Sequence, residues 1–342
     1  TKGEGGRKSA FAAFGLAASF AGQALDAGSL VAEERRLTRV QSTASITTSF
    51  QTWEACMFVT VNGVRLFFDV LNPQLDVSGS HLREKPVLVC VPGGPGGDHQ
   101  TLRPYFDRFA DVAQVIYLDP RGGGRSDYGP ESGWTLDQWG DDIAAFCDAL
   151  DLEKPFVLGS SGGTLMVQSF LARHPARAGG AILLNACSRM QQDGLVAGYE
   201  ELGGPEAGRA ARAMYGSPTE DDYIAFYRHC LPLYSRKRDL SSLADGTRRS
   251  VLNPAASARF FGSDGESFRF DFRGRLGRVE CPVLVVAGSH DPVTPAKWGI
   301  EVAEALPKGR GELVVFEDCG HLITVDQPEQ FDAAVRQFIA VP

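Results

Sequence analysis

The chain has 342 residues, 43% hydrophobic and 22% charged, a composition that excludes disordered and membrane-embedded classes. That length leaves room for one large α/β domain carrying an insertion. A formal net charge of −8 and a pI near 5.3 provide no broad positive field, so the expected partner is a small molecule or short peptide rather than a nucleic acid. The seven cysteines are widely spaced with no CxxC pair, which points to reduced thiols instead of a disulfide framework or a zinc site.

In chain order, residues 1–45 read as an N-terminal extension. Arg7-Lys8 followed by the Ala/Phe/Gly stretch Ser9 to Ala24 has the basic and apolar regions of an export signal, and an Ala-rich helix is the plainer alternative. The stretch is too short and too weakly apolar for a membrane span, and the expected location is cytoplasmic unless that stretch acts as a signal. Ala55 to Val61 and Val64 to Leu71 are β-rich runs joined by Asn62-Gly63, the strongest two-residue hairpin signal. Six apolar runs follow: Pro86 to Val91, Val115 to Leu118, Phe156 to Leu158, Ala181 to Leu184, Val283 to Ala287 and Leu313 to Phe316. Strands without polar alternation are those buried on both faces, as in a parallel sheet covered by helices.

Helical patterns lie between the runs. Thr135 to Leu150 starts with a capping-box pair, Thr135 and Gln138, and Gly163 to Arg173, Pro295 to Leu306 and Pro328 to Ile339 continue the alternation. The implied architecture is a mostly parallel, doubly wound α/β sheet that opens with an antiparallel hairpin. Residues 187–278 lack a strong strand run and read as a helical cap inserted after the sixth strand. Residues 46–186 and 279–342 then form the catalytic domain.

The chemistry centres on Gly159-Ser160-Ser161-Gly162-Gly163, which leaves a strand and enters a helix, the setting a G-x-S-x-G elbow requires. A serine nucleophile needs a base held in one tautomer by a carboxylate. His321 and Asp291 each follow a late strand run, where open α/β sheets hold their sites. His290 is the rival base, Asp318 the rival acid, and Cys319 a thiol without a turn motif of its own. Backbone donors for an oxyanion are expected from Gly162 and from Gly94 in Pro92-Gly93-Gly94-Pro95-Gly96-Gly97, with Gly93 as the other possibility. No Lys-Ser/Thr follows that loop, so it does not read as a phosphate loop.

Pro92-Gly93-Gly94-Pro95-Gly96, Asp119-Pro120-Arg121-Gly122-Gly123-Gly124-Arg125-Ser126, the Ser161 elbow, Asp291-Pro292-Val293-Thr294-Pro295 and Gly320-His321 together resemble the proline iminopeptidase group of α/β-hydrolases. The likeness implies metal-free, cofactor-free release of an N-terminal residue, typically proline, from small peptides or amides. Pro92, Pro120 and Gly162 stand where the family usually has His, Gln, and Trp or Tyr. Those departures keep open an esterase, lactonase or amidase acting on an uncharged small molecule. The family binds the substrate ammonium through cap carboxylates. Glu200, Glu201, Glu220, Asp221 and Asp222 are candidates here, although Pro218 to Asp222 reads equally well as an acidic helix start. Tyr223, Phe226, Tyr227 and Tyr234 have helical spacing and are either cap core or pocket lining, with Glu220, Tyr223 and Tyr227 the substrate-binding candidates.

Overall fold

The hairpin forms where the sequence places it. Strands β1 (Phe58–Val61) and β2 (Val64–Val70) pair antiparallel about Asn62 and Gly63. Both turn residues have positive φ, 45° and 78°, as a type I′ turn demands. The structure is a computed structural model describing residues 57–77, 81–216, 219–262 and 265–340. Ala55, Cys56 and the N-terminal extension with its export-signal reading lie outside the described residues.

A small ribbon, β3 (Leu75–Asp76) with β4 (Arg83–Glu84), precedes the main strands. These are β5 (Val87–Val91), β6 (Gln114–Leu118), β7 (Phe156–Ser160), β8 (Gly180–Leu184), β9 (Val283–Gly288) and β10 (Gly311–Phe316). The eight-stranded sheet runs β1-β2-β6-β5-β7-β8-β9-β10, antiparallel at its first two pairings and parallel from β6 onward. The chain proceeds from β5 outward to β6, then returns to β7 on the other side of β5. The loops after β5 and β7 therefore meet at a topological switch point, where such sheets bind ligands.

The apolar runs split between two cores. Val89, Val91, Val157, Leu183 and Val285 face the helices α1 (Leu136–Ala149) and α2 (Gly163–Arg173). Leu88, Leu158, Ile182, Leu184 and Val286 face the other layer, with Phe106, Phe109 and Phe331. The capping box of α1 is half formed: Thr135 Oγ1 accepts from Gln138 N–H at 3.2 Å, but the Gln138 side chain donates to Asp142 at 2.9 Å. Asp142 is buried and already paired with Arg121, so its acceptor demand outweighs the local cap.

Between β8 and β9 the chain is helical: α3 (Gln192–Met214), α4 (Glu220–His229), α5 (Ser241–Arg249) and α6 (Pro254–Phe261). Helix α3 bends at Gly204, whose φ is 76°, just before Pro205, which has no N–H to donate. These helices rest on the loops leaving β5, β6, β9 and β10, through Asn253 to Gly96 and Gly122, Gly198 to Pro292, and Tyr234 to Leu322. One spacing inference fails. Tyr234 is not on the helix of Tyr223 and Tyr227, because α4 stops at His229 and a 3₁₀ turn, Leu231–Tyr234, takes over at Pro232. The last helices are α7 (Ala296–Ala305), α8 (Ile323–Asp326) and α9 (Pro328–Ala340). All six described cysteines are buried and unpaired.

Candidate active site

The elbow after β7 is held by backbone bonds before any side chain acts. Ser161 sits at φ 51°, in the left-handed region that a non-glycine residue occupies at a cost of about 1–3 kcal/mol. Its N–H donates to the Leu184 carbonyl at 2.9 Å, and its carbonyl accepts from Thr164 N–H at 2.9 Å and Thr164 Oγ1 at 2.6 Å. Position 162 must be glycine here, because a Cβ would fall inside the carbonyl oxygen of Gly94. Gly93 also lies beside the elbow, its own hypothetical Cβ 3.3 Å from Ser161 Cβ. Among the described residues the N–H groups of Gly94 and Gly162 donate to no acceptor.

Ser161, His321 and Asp291 meet although 160 residues separate the first two. Ser161 Oγ lies 3.0 Å from His321 Nε2, and His321 Nδ1 lies 2.7 Å from Asp291 Oδ2. Asp291 also accepts from Val293 N–H at 2.7 Å, Thr294 N–H at 3.0 Å and Thr294 Oγ1 at 2.7 Å. An ionised carboxylate only accepts, so Nδ1 carries the proton in the neutral imidazole and Nε2 is free to accept from the serine. The arrangement can thus pass a proton from Ser161 to His321 while Asp291 stabilises the imidazolium.

The rivals are bound elsewhere. His290 Nδ1 faces Ser289 Oγ at 2.9 Å. Asp318 is exposed and hydrogen-bonded by Arg236, which holds its carboxyl below the ordinary range. Burial pushes the Cys319 thiol up to about 12, leaving little thiolate at neutral pH.

The Asp119 to Ser126 motif makes a scaffold. Asp119 accepts from His99 N–H and Nδ1 and from Arg125 N–H, and Arg121 forms a buried two-point pair with Asp142 at 2.7 and 2.8 Å. Asn253 ties Gly122 to the cap side through a 2.8 Å bond to its carbonyl. Spacing did not reveal two groups that steady the histidine. Asn185 Nδ2 donates to the His321 carbonyl at 2.5 Å, and the Tyr234 ring stands edge-on to the imidazole with centroids 5.2 Å apart. Tyr199 Oη donates to Tyr234 Oη at 3.3 Å, and burial raises both phenols well above their ordinary range, so these hydroxyls are neutral.

The substrate-binding candidates fall less neatly. Asp222 forms a capping box with Thr219, whose bonds hold its carboxyl below the ordinary range. Glu200, Glu201 and Asp221 are exposed. Glu220 opens α4, and its side chain lies outside what the structure describes. Tyr223 and Tyr227 are half-buried on α4, and the ring against His321 is that of Tyr234. A cavity of about 350 Å³ between α3 and α6 includes Tyr215 and Phe261 in its lining but no residue of the Ser161–His321–Asp291 set. Among the described residues no cluster of three or more His, Cys, Asp or Glu side chains converges as a metal site would.

A parallel sheet with this order, a serine elbow at its switch point and a histidine after its last strand are the marks of an α/β hydrolase. The chain belongs to that family: the family model for the alpha/beta hydrolase fold matches residues 86–328, and the protein is accordingly a hydrolase. It is 28% identical over 269 residues to a protein of Caulobacter sp. (strain K31) bearing the name of a carbamate hydrolase, RutD, covering 73% of this chain and 94% of that one. It is 24% identical over 299 residues to a proline iminopeptidase of Thermoplasma volcanium, covering 82% and 95%, so the resemblance read from the motifs recurs among its relatives. The solved enol-lactonase of Burkholderia xenovorans LB400 has the same fold, with a TM-score of 0.60 at 20% identity over 83% of this chain and 99% of that one. Among the described residues no helix is long and apolar enough to cross a membrane.

Proposed function

We propose that the protein is a serine hydrolase working through an acyl-enzyme, with Ser161 as nucleophile, His321 as general base and Asp291 as the carboxylate that orients the histidine. Ser161 Oγ attacks a carbonyl carbon, His321 takes the hydroxyl proton and gives it to the leaving group, and water then attacks the acyl-enzyme with His321 again moving the proton. The N–H groups of Gly94 and Gly162 receive the oxyanion. The observation that carries this reading is the unbroken contact from Ser161 Oγ to His321 Nε2 and from Nδ1 to Asp291, at 3.0 and 2.7 Å. The described part of residues 187–278 acts as a cap over the catalytic domain, to which the described parts of 46–186 and 279–342 belong.

Gly162→Ala tests the oxyanion assignment. A methyl there has to displace the Gly94 carbonyl and with it the opposite donor, so kcat should fall by about 10²–10³, the usual effect of losing one oxyanion donor. Unchanged turnover in a folded variant would refute the assignment.

Two substrate classes follow from the names of the relatives: an amide with a free amino terminus, as in proline iminopeptidase, and an uncharged ester, lactone or carbamate. The second is favoured by one observation: the ring against His321 is that of Tyr234, whose neutral hydroxyl bonds to Tyr199, while Glu200, Glu201 and Asp221 are exposed and Asp222 is engaged in a cap. An ammonium bound without a facing carboxylate would lose its hydration uncompensated. Proline and alanine arylamides, their N-acetylated forms and short acyl nitrophenyl esters should be compared. Turnover of esters and blocked amides at or above that of the free amines is expected. Hydrolysis confined to free amines would restore the aminopeptidase reading and direct attention to Glu220.

A further inference from the structure

Asp326 lies in the short helix that follows the histidine loop and is 4% exposed. Four donors converge on its carboxylate from two parts of the chain. Gly320 N–H, beside His321, donates to Oδ2 at 2.8 Å. From the segment between α4 and α5, Ser235 Oγ donates to Oδ1 at 2.7 Å, Arg236 N–H to Oδ2 at 3.0 Å and Lys237 N–H to Oδ1 at 3.3 Å. Among the described residues no cation pairs with it directly: the Arg236 guanidinium goes to Asp318 and the Lys237 ammonium to the Val325 carbonyl. The same segment reaches the histidine twice more, through the Tyr234 carbonyl, which accepts from Leu322 N–H at 2.8 Å, and through the Tyr234 ring.

We propose that Asp326 is a positioning residue for the reaction: by gripping Gly320 and Ser235–Lys237 at once, it sets the His321 loop only while the cap segment is docked upon it. The inference rests on the Ser161–His321 reading above. A buried carboxylate satisfied entirely by N–H and O–H dipoles is held to one geometry, since each donor left facing nothing would pay its own desolvation cost. The imidazole hangs from a loop whose residues 320, 321 and 322 are pinned by Asp326, Asn185 and Tyr234 respectively. Removing one pin lets Nε2 drift from the serine, and displacements near 1 Å cost about 10²-fold in rate.

The test separates positioning from simple folding by counting active sites. A fluorophosphonate labels a serine that its histidine has activated, and intact-mass analysis gives both the fraction of chains labelled and the rate constant. Asp326→Asn turns one acceptor oxygen into an amide NH₂ facing N–H donors. It should react at least tenfold more slowly than the wild type while still labelling nearly every chain. Ser235→Ala removes a cap-side donor only and should slow labelling about threefold, again at full amplitude. Asp107→Asn serves as the folding control, since Asp107 accepts from Tyr117 and Arg103 and shares no bond with the triad loops. It should match the wild-type rate. A lowered amplitude with an unchanged rate per labelled chain, or equal rates for Asp326→Asn and the wild type, would overturn the positioning role. Failure of the wild type itself to label at Ser161 would instead overturn the nucleophile reading on which it rests.

Discussion

Ser161→Ala should lower kcat by at least about 10⁴-fold and leave the fold intact. The substitution deletes only Oγ, whose recorded partner is His321 Nε2. The bonds that shape the elbow run through the Ser161 N–H and carbonyl and survive in alanine. The positive φ costs either residue alike, so the thermal midpoint should move little. What remains is attack by water on a bound carbonyl polarised by the oxyanion donors. Steady-state turnover of the best ester of the panel, alongside a thermal melt, measures both. Activity within tenfold of the wild type would remove Ser161 from the mechanism and, with it, the role given to His321.

A comparable loss, about 10⁴-fold, is expected for Asp291→Asn, for a reason particular to this site. Oδ1 accepts two backbone N–H groups, from Val293 and Thr294, so the amide oxygen of an asparagine must settle there. Its NH₂ then occupies the place of Oδ2 and donates to His321 Nδ1. Thr294 Oγ1, now facing a donor, can turn its hydroxyl to accept. An imidazole that accepts at Nδ1 carries its proton on Nε2 and has no lone pair for the Ser161 hydroxyl. Packing is preserved, so stability should change far less than turnover. A variant that keeps more than a tenth of the activity would show that the carboxylate does not govern the tautomer.

The cap bears on both groups of catalytic loops. Asn253 N–H bonds to the Gly96 carbonyl at 2.8 Å and Ser257 Oγ to the Pro95 carbonyl, beside the glycines read as oxyanion donors. Ser235–Lys237 reach the histidine loop through Asp326. The proposed cap and the loops proposed as catalytic are thus joined by short polar contacts, so substitutions far from Ser161 test whether cap position bears on rate.

Several features follow from local pattern alone. Asn62-Gly63 forms the hairpin because few other pairs tolerate positive φ at both turn positions. The unalternating runs become parallel strands because both their faces are buried. That Ser161, Asp291 and His321 stand at strand ends is legible because each has a strand run before it and a particular neighbour beside it, conditions met within a few residues. The grips on the histidine are a different matter. Asn185 finds His321 across 136 residues and Ser235 finds Asp326 across 91. A lone asparagine at a strand end and an aspartate after Leu322-Ile323-Thr324-Val325 have no local periodicity to announce such partners. Tyr234 left its expected helix because Pro232 ended the hydrogen-bonding ladder, and that break turned it toward the imidazole. The glycine at 162 is legible as a departure from the family, but its reason lies across the switch point: the sheet order carries the Gly94 carbonyl to the place a larger side chain would need. Sequence determined the strands and, at their ends, the residues proposed as reactive groups, since those depend on short-range backbone geometry. The tertiary structure decided what holds and surrounds those groups, since hydrogen-bond partners are chosen by which loops the topology brings together.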